Sequence, residues 1–126
     1  MSQEFTPTLY FKKECPFCFK LRLALLEAGM LDGVHIREFA SGTPEEKAIK
    51  DDLSSKLDRV SFPAAEVAPG DYRKDSDKLI AHFTGLKQID PQELVTLQAY
   101  IEGPFNELQR LFKENRDLKQ ASRVRG

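Results

Sequence analysis

The chain has 126 residues, the size of one ordinary globular domain. An apolar fraction of 40% argues against disorder, and a net charge of −1 gives no electrostatic reason to expect a nucleic acid or membrane partner. No apolar run approaches the roughly 20 residues of a membrane helix, and the start, MSQEFTPT, lacks the pattern of a signal peptide. We therefore expect a cytoplasmic protein.

The first half of the chain alternates strand and helix signals. Residues 8–12 are β-prone, and apolar residues at steps of three and four from Pro16 predict a helix that ends at Gly29. Residues 34–39 predict a second strand. A second helix is expected to begin at Thr43-Pro44, because threonine suits the N-cap and proline the first helical position.

The next segment predicts two short strands and a third helix. A strand follows Pro63, the turn at residues 69–71 reverses the chain, and an antiparallel partner lies near Tyr72. Residues 75–77 can cap a helix that ends near Gly85. The order β-α-β-α-β-β-α predicts a small mixed sheet with helices on both faces.

The C-terminal part predicts one long helix that begins at Asp90-Pro91 and is kinked or broken at Gly103-Pro104. We expect its apolar stripe to pack on the chain's own sheet, with a homodimer contact as the alternative. The stripe consists of Leu94, Leu97, Ile101, Phe105, Leu108 and Phe112.

Both cysteines of the chain lie in the stretch KKECPFCFK, as Cys15 and Cys18. They could form a redox pair, half of a metal site, or two inert buried thiols. A zinc site needs four ligands, and the two histidines are not at zinc-finger spacing, so we expect no metal. Cys15 occupies the expected N-cap, where free N–H groups and the helix dipole lower a thiol pKa. Cys18 is expected to be more shielded and to lack such donors.

Three segments together resemble a known family. The CPFC motif after a short strand resembles the active site of glutaredoxins, whose usual form is Cys-Pro-Tyr-Cys. Ser61-Phe62-Pro63 is placed like the cis-proline segment of thioredoxin-fold proteins. Residues 74–77 (KDSD) resemble the Glu-Ser segment of glutathione transferase N-terminal domains. The closest likeness, over about residues 8–86, is to two-domain glutaredoxins built on a transferase scaffold.

This resemblance implies a thioredoxin-like fold, with a mixed four-stranded sheet in residues 1–86 and a helical extension in residues 87–126. It also implies glutathione as the co-substrate. Lys12 would meet the glycine carboxylate, the Phe62 backbone the cysteinyl part, and Asp75 with Ser76 the γ-glutamyl group. The full set of implied glutathione-binding residues is Lys12, Phe17, Phe62, Pro63, Asp75 and Ser76.

The activity implied is glutathione-dependent thiol–disulfide exchange, with Cys15 as nucleophile, Cys18 as resolving thiol, and glutathionylated or disulfide-containing proteins as substrates. Only about forty residues follow the predicted sheet domain, whereas transferase-like proteins carry a much longer helical domain. The alternative is therefore a transferase-related glutathione-binding or protein-interaction module with little catalysis. A further alternative is an Fe–S cluster held between two chains by Cys15 and glutathione.

Overall fold

The structure, a computed structural model, describes residues 5–125, with side chains described up to Gln120. Four strands and five α-helices follow one another in the predicted order, with 3₁₀ turns at Leu31–Gly33 and Pro91–Glu93. The elements are β1 (Thr8–Lys12), α1 (Pro16–Glu27), β2 (His35–Phe39), α2 (Pro44–Ser54), β3 (Ala64–Ala68), β4 (Asp71–Lys74), α3 (Ser76–Leu86), α4 (Val95–Tyr100) and α5 (Asn106–Arg125).

The four strands form one mixed sheet in the order β2-β1-β3-β4. Strands β1 and β2 are parallel and joined through α1, whereas β3 is antiparallel to both β1 and β4. A parallel βαβ unit followed by an antiparallel hairpin and a helix is the thioredoxin-like arrangement. The predicted fold is confirmed.

Strand register brings several loops to one edge of the sheet. Tyr10 of β1 is paired with Ala64 of β3, and Ala64 is paired with Lys74 of β4. The end of β1, the start of β3 and the end of β4 therefore lie side by side. The residues that follow or precede them, including the CPFC turn, meet at this edge.

The two faces of the sheet carry separate cores. The smaller core, under α2, is built around Tyr10, Phe39, Ile49, Leu53 and Ala64. The larger core lies on the other face, under α1 and α3, and it includes Leu94 and Leu97 from the C-terminal segment. The start of the extension thus completes the main core, as expected for the first part of the apolar stripe.

The predicted apolar stripe is buried only in its first part. Leu97 and Phe105 are 1% and 9% exposed, whereas Leu108 and Phe112 are 38% and 57% exposed. The expectation that the whole stripe packs on this chain is therefore wrong for Leu108 and Phe112. Phe105 contacts Phe17 and Lys20, in the first turns of α1. Helix α5 therefore extends past the start of α1, and its residues after Phe105 have less of that helix to pack on.

The helix expected from Asp90 begins later than predicted. Asp90 caps only the 3₁₀ turn, and α4 begins at Val95 without a side-chain cap from its own N-cap residue. At Gly103-Pro104, where the sequence predicts a kink or a break, the helix continues through a π-helical turn at Ile101–Phe105. This turn accommodates Pro104, which has no N–H to donate. Among residues 5–125, no helix is long and apolar enough to cross a membrane.

Candidate functional site

Cys15 is the N-cap of α1, as the sequence predicts. Its backbone is extended, Pro16 takes the first helical position, and its Sγ accepts the backbone N–H of Cys18 at 3.4 Å. Cys15 is half-buried, Cys18 is 3% exposed, and both are free thiols. Cys15 is therefore the more accessible residue of the pair, and Cys18 belongs to the main core.

The two thiols have opposite pKa shifts. The pKa of Cys15 is lowered to about 6, chiefly because the Cys18 thiol donates a hydrogen bond to its sulfur. Backbone N–H groups of Cys18 and Phe17 and the charge of Lys12 act in the same direction, and partial burial opposes them. The same thiol–thiol bond, followed by burial, raises the pKa of Cys18. Cys15 is therefore the thiolate at neutral pH.

One expectation about Cys18 is wrong. The sequence predicts that its sulfur lacks N–H donors, but the backbone N–H of Lys12 donates to Cys18 Sγ at 3.4 Å. This bond favours the thiolate of Cys18, yet the bond to Cys15 and burial outweigh it. Cys18 therefore remains protonated and serves as the donor of the pair.

The alternatives to a redox pair are an inert buried pair of thiols and a metal site. An inert buried pair does not account for the partial exposure and the lowered pKa of Cys15. In the described part of the chain, no three side chains of His, Cys, Asp or Glu converge where a metal ion could bind.

The predicted glutathione-binding residues lie at the sheet edge described above. Lys12 ends β1, and the Phe62–Pro63 peptide, which is cis, precedes β3. Asp75 follows β4 with a φ of 85° and accepts the Asp77 N–H at 3.3 Å, so it caps α3. Ser76, the first residue of α3, is 4% exposed. Their loops are neighbours in the fold, around the start of α1.

Two of the predicted residues have apolar partners. The ring of Phe62 packs edge-on against Phe39, with ring centres 4.8 Å apart. Phe17, 36% exposed, packs edge-on against Phe105 of the C-terminal segment at 5.2 Å. Phe17 therefore links the cysteine turn to the extension, a contact that the sequence did not predict.

A cavity of about 300 Å³ opens beside Cys15. It lies between the start of α1, the ends of β1 and β2, and the C-terminal segment. Its lining mixes aromatic and aliphatic groups with charged ones, among them Phe11, Lys12, Phe19, Arg22, Glu38, Tyr100 and Leu108. Reactants at Cys15 would therefore meet side chains of the extension.

Sequence reasoning missed two polar residues near the site. The Tyr100 hydroxyl donates to the carbonyl oxygen of Pro16 at 2.9 Å. Lys20 is 4% exposed, and its Nζ lies 2.7 Å from Asp77 Oδ1 and 4.5 Å from the centre of the Phe105 ring. The sequence feature that could have revealed Lys20 is its charge on the apolar face of α1, next to Phe17 and Leu21. Tyr100 gave no comparable signal.

Comparisons with known proteins find likenesses only among solved structures. No protein-family model and no curated protein matches the chain. Glutathione transferase Omega 2C from Trametes versicolor is similar with 25% identity and a TM-score of 0.48, over 66% of this chain and 38% of that one. A possible glutathione S-transferase from Rhodopseudomonas palustris shows 21% identity and a TM-score of 0.48, over 64% and 39% of the two chains.

A third similar structure is a glutathione S-transferase from the Antarctic clam Laternula elliptica, with 15% identity, a TM-score of 0.49, and coverage of 64% of this chain and 35% of that one. The chain thus spans less than two fifths of the length of these three proteins. Its own strand order and connectivity, independently of these likenesses, show a thioredoxin-like fold with a helical C-terminal extension.

Proposed function

We propose that this protein is a glutathione-dependent thiol–disulfide oxidoreductase that reduces glutathione mixed disulfides through Cys15. The observation that supports this most directly is the cap geometry of Cys15, whose sulfur accepts the Cys18 N–H at 3.4 Å and whose pKa is lowered to about 6. A thiolate that persists at neutral pH is the attacking group in thiol–disulfide exchange.

In the first step, the Cys15 thiolate attacks the glutathione sulfur of a mixed disulfide. A bond forms between Cys15 Sγ and that sulfur, the original disulfide bond breaks, and the substrate thiolate leaves and takes a proton from water. The N–H groups at the start of α1 stabilise the Cys15 thiolate before the attack. They also make Cys15 a good leaving group in the next step.

Two routes then release the glutathionyl group. A second glutathione thiolate can attack its sulfur, which forms oxidised glutathione and restores the Cys15 thiolate. Alternatively, Cys18 loses its proton to water and attacks Cys15 Sγ, which forms a Cys15–Cys18 disulfide and releases glutathione. The raised pKa of Cys18 disfavours its thiolate, so we expect the first route to dominate at neutral pH.

Glutathione is proposed to lie along the sheet edge where the loops of β1, β3 and β4 meet. Lys12 would pair with the glycine carboxylate and the Phe62 backbone with the cysteinyl amide. Asp75 and the free N–H groups at the start of α3 would bind the γ-glutamyl amine and carboxylate. A cytoplasmic location, where glutathione is kept reduced, belongs to the same proposal.

The test is reduction of β-hydroxyethyl disulfide in the presence of glutathione, with the oxidised glutathione coupled to its reductase. We expect the wild-type chain and Cys18→Ser to be active, because the first release route does not need Cys18. Cys15→Ser should be inactive. Activity that survives in Cys15→Ser, or an inactive wild-type chain, would contradict the proposed reaction.

A second candidate function is a glutathione-binding or protein-interaction module with little catalysis. The observation in its favour is the exposed apolar surface of α5, where Leu111, Phe112 and Leu118 are 48%, 57% and 67% exposed. A chain that binds glutathione in calorimetry but fails the reductase assay would support this candidate over the first.

A further inference from the structure

The C-terminal segment, residues 95–108 of the extension, runs antiparallel to α1. Three contacts hold it along that helix. At the end of α1, the Glu27 carboxylate accepts the backbone N–H groups of Thr96 and Leu97 at 2.9 and 2.8 Å. At the start of α1, the Tyr100 hydroxyl donates to the Pro16 carbonyl at 2.9 Å. The third contact joins the middle of α1 to the π-helical turn.

That third contact is a buried cation over an aromatic ring. Lys20 Nζ lies 4.5 Å from the centre of the Phe105 ring, while its ion pair with Asp77 ties the same amine to the start of α3. The Phe105 ring also meets the rings of Phe17 and Tyr100 at 5.2 and 5.7 Å. The position of the segment on α1 is therefore set by specific contacts along the whole helix.

This placement puts Tyr100 and Leu108 into the wall of the cavity beside Cys15. The Tyr100 ring is further supported by Phe19, with ring centres 5.2 Å apart. A volume of about 300 Å³ lies at the lower end of the range for small-molecule sites, about 300 to 1,000 Å³. It suits a small molecule or a single side chain, and it is too small for a folded protein surface.

We propose that residues 95–108 act as a steric filter on the thiols that can exchange at Cys15, with Tyr100 and Leu108 as its specificity-determining residues. This inference rests on the proposed disulfide exchange. When Cys15 attacks the glutathione sulfur, the leaving thiolate must lie within bonding distance of that sulfur, and therefore close to the wall. A small thiol or a cysteine in an extended segment can reach this place, whereas a cysteine flush with a folded surface collides with the wall.

The first test measures access to Cys15 without any glutathione chemistry. In a Cys18→Ser background, Cys15 is the only thiol of the chain, and its alkylation by iodoacetamide is compared with that by a maleimide on a rigid polycyclic aromatic group. We expect Leu108→Ala to raise the rate ratio of the bulky to the small reagent about tenfold, the lower end of what one steric contact changes. Tyr100→Phe, which loses only the bond to Pro16, should raise it less.

Two matched controls are available in the chain. Leu111 lies one turn further along α5, is 48% exposed and does not line the cavity, so Leu111→Ala should leave the ratio unchanged. Tyr72→Phe is the control for Tyr100→Phe. It removes a hydroxyl from β4, away from the C-terminal segment, and should also leave the ratio unchanged. A ratio that stays constant in both Leu108→Ala and Tyr100→Phe would overturn the filter.

The second test compares exchange rates with two glutathionylated substrates, a cysteine mixed disulfide and a folded glutathionylated protein. Leu108→Ala should raise kcat/KM for the folded protein about tenfold relative to the small disulfide. If exchange is absent in all variants while the alkylation ratio still shifts, the wall stands and the proposed reaction is wrong. If exchange is present and neither ratio shifts, the reaction stands and the filter is wrong.

Discussion

The backbone N–H of Cys18 donates to the sulfur of Cys15 across 3.4 Å, and hydrogen bonding with Cys18 holds the pKa of Cys15 at about 6. Residues 15–18 thus contain both the proposed nucleophile and the residue that most lowers its pKa. The side-chain bond is the larger cause of the lowered pKa of Cys15. This ordering of causes can be tested by removing the thiol without disturbing the helix.

We predict that the alkylation rate of Cys15 rises with pH through an inflection near 6 in the wild-type chain. In Cys18→Ala the inflection should move up by about one pH unit, because a hydrogen bond to a charged group is lost. Cys18→Ser, whose hydroxyl can still donate, should move less. Iodoacetamide rates with peptide mapping measure both, and equal inflections in the two variants would show that the side-chain bond is unimportant.

The same pKa shift predicts how stability depends on pH. The pKa of Cys15 is lower in the folded chain, about 6, than the ordinary value near 8.5 of the unfolded chain. Between these values the unfolded state binds a proton that the folded state has lost, so the free energy of unfolding of the reduced protein should rise with pH. This contribution should disappear as the pH falls through 6.

The matched variant is Cys15→Ser, which cannot ionise in this range and should lack that part of the slope. Urea unfolding under reducing conditions at several pH values gives the comparison. A slope that is identical in the two proteins would mean that Cys15 is not a stabilised thiolate in the folded chain.

Glutathione binding should depend on Lys12 and Asp75 if the proposed site is correct. Charge-assisted hydrogen bonds contribute about 1.5–3 kcal/mol, and exposure to water should place both variants at or below the low end of that range. We therefore expect Lys12→Ala and Asp75→Asn each to weaken binding about fivefold to tenfold in calorimetry. Asparagine is used at position 75 because it tolerates the φ of 85° there.

Lys13→Ala is the control for this measurement, since Lys13 is the exposed neighbour of Lys12 and carries the same charge. It should change the affinity less than Lys12→Ala does. Equal effects of the two lysine variants would point to a general charge effect rather than a specific contact.

Phe105 should be the main apolar anchor of the C-terminal segment. It is 9% exposed and lies against Phe17, Tyr100 and Lys20, so Phe105→Ala should lower the free energy of unfolding by about 3 kcal/mol. Phe112 belongs to the same predicted stripe but is 57% exposed. Phe112→Ala should therefore lower the free energy of unfolding by no more than about 0.5 kcal/mol. Urea unfolding of both variants measures the difference.

A large cost for Phe112→Ala would contradict the exposure of α5. If that cost also depended on protein concentration, the homodimer contact considered from the sequence would explain it, because a second copy would then cover the α5 surface.

Local signals in the sequence were enough to predict the order of strands and helices along the chain and the start of α1 at the Cys15 cap. Capping at Cys15, Thr43 and Asp75 acts within three or four residues, so it can be read from neighbouring letters. The predicted thioredoxin-like fold followed from these signals together with the CPFC motif. They failed where a cap or a partner comes from elsewhere in the chain.

The tertiary structure alone decided how the extension meets the site. Helix α4 is capped by Glu27, about seventy residues earlier, and the Tyr100–Pro16 bond joins residues separated by 84 positions. Such pairs leave no periodic pattern, because their spacing depends on how α1 and the C-terminal segment pack rather than on helix geometry. The buried Lys20 is tolerated only because folding brings Asp77 and Phe105 to it.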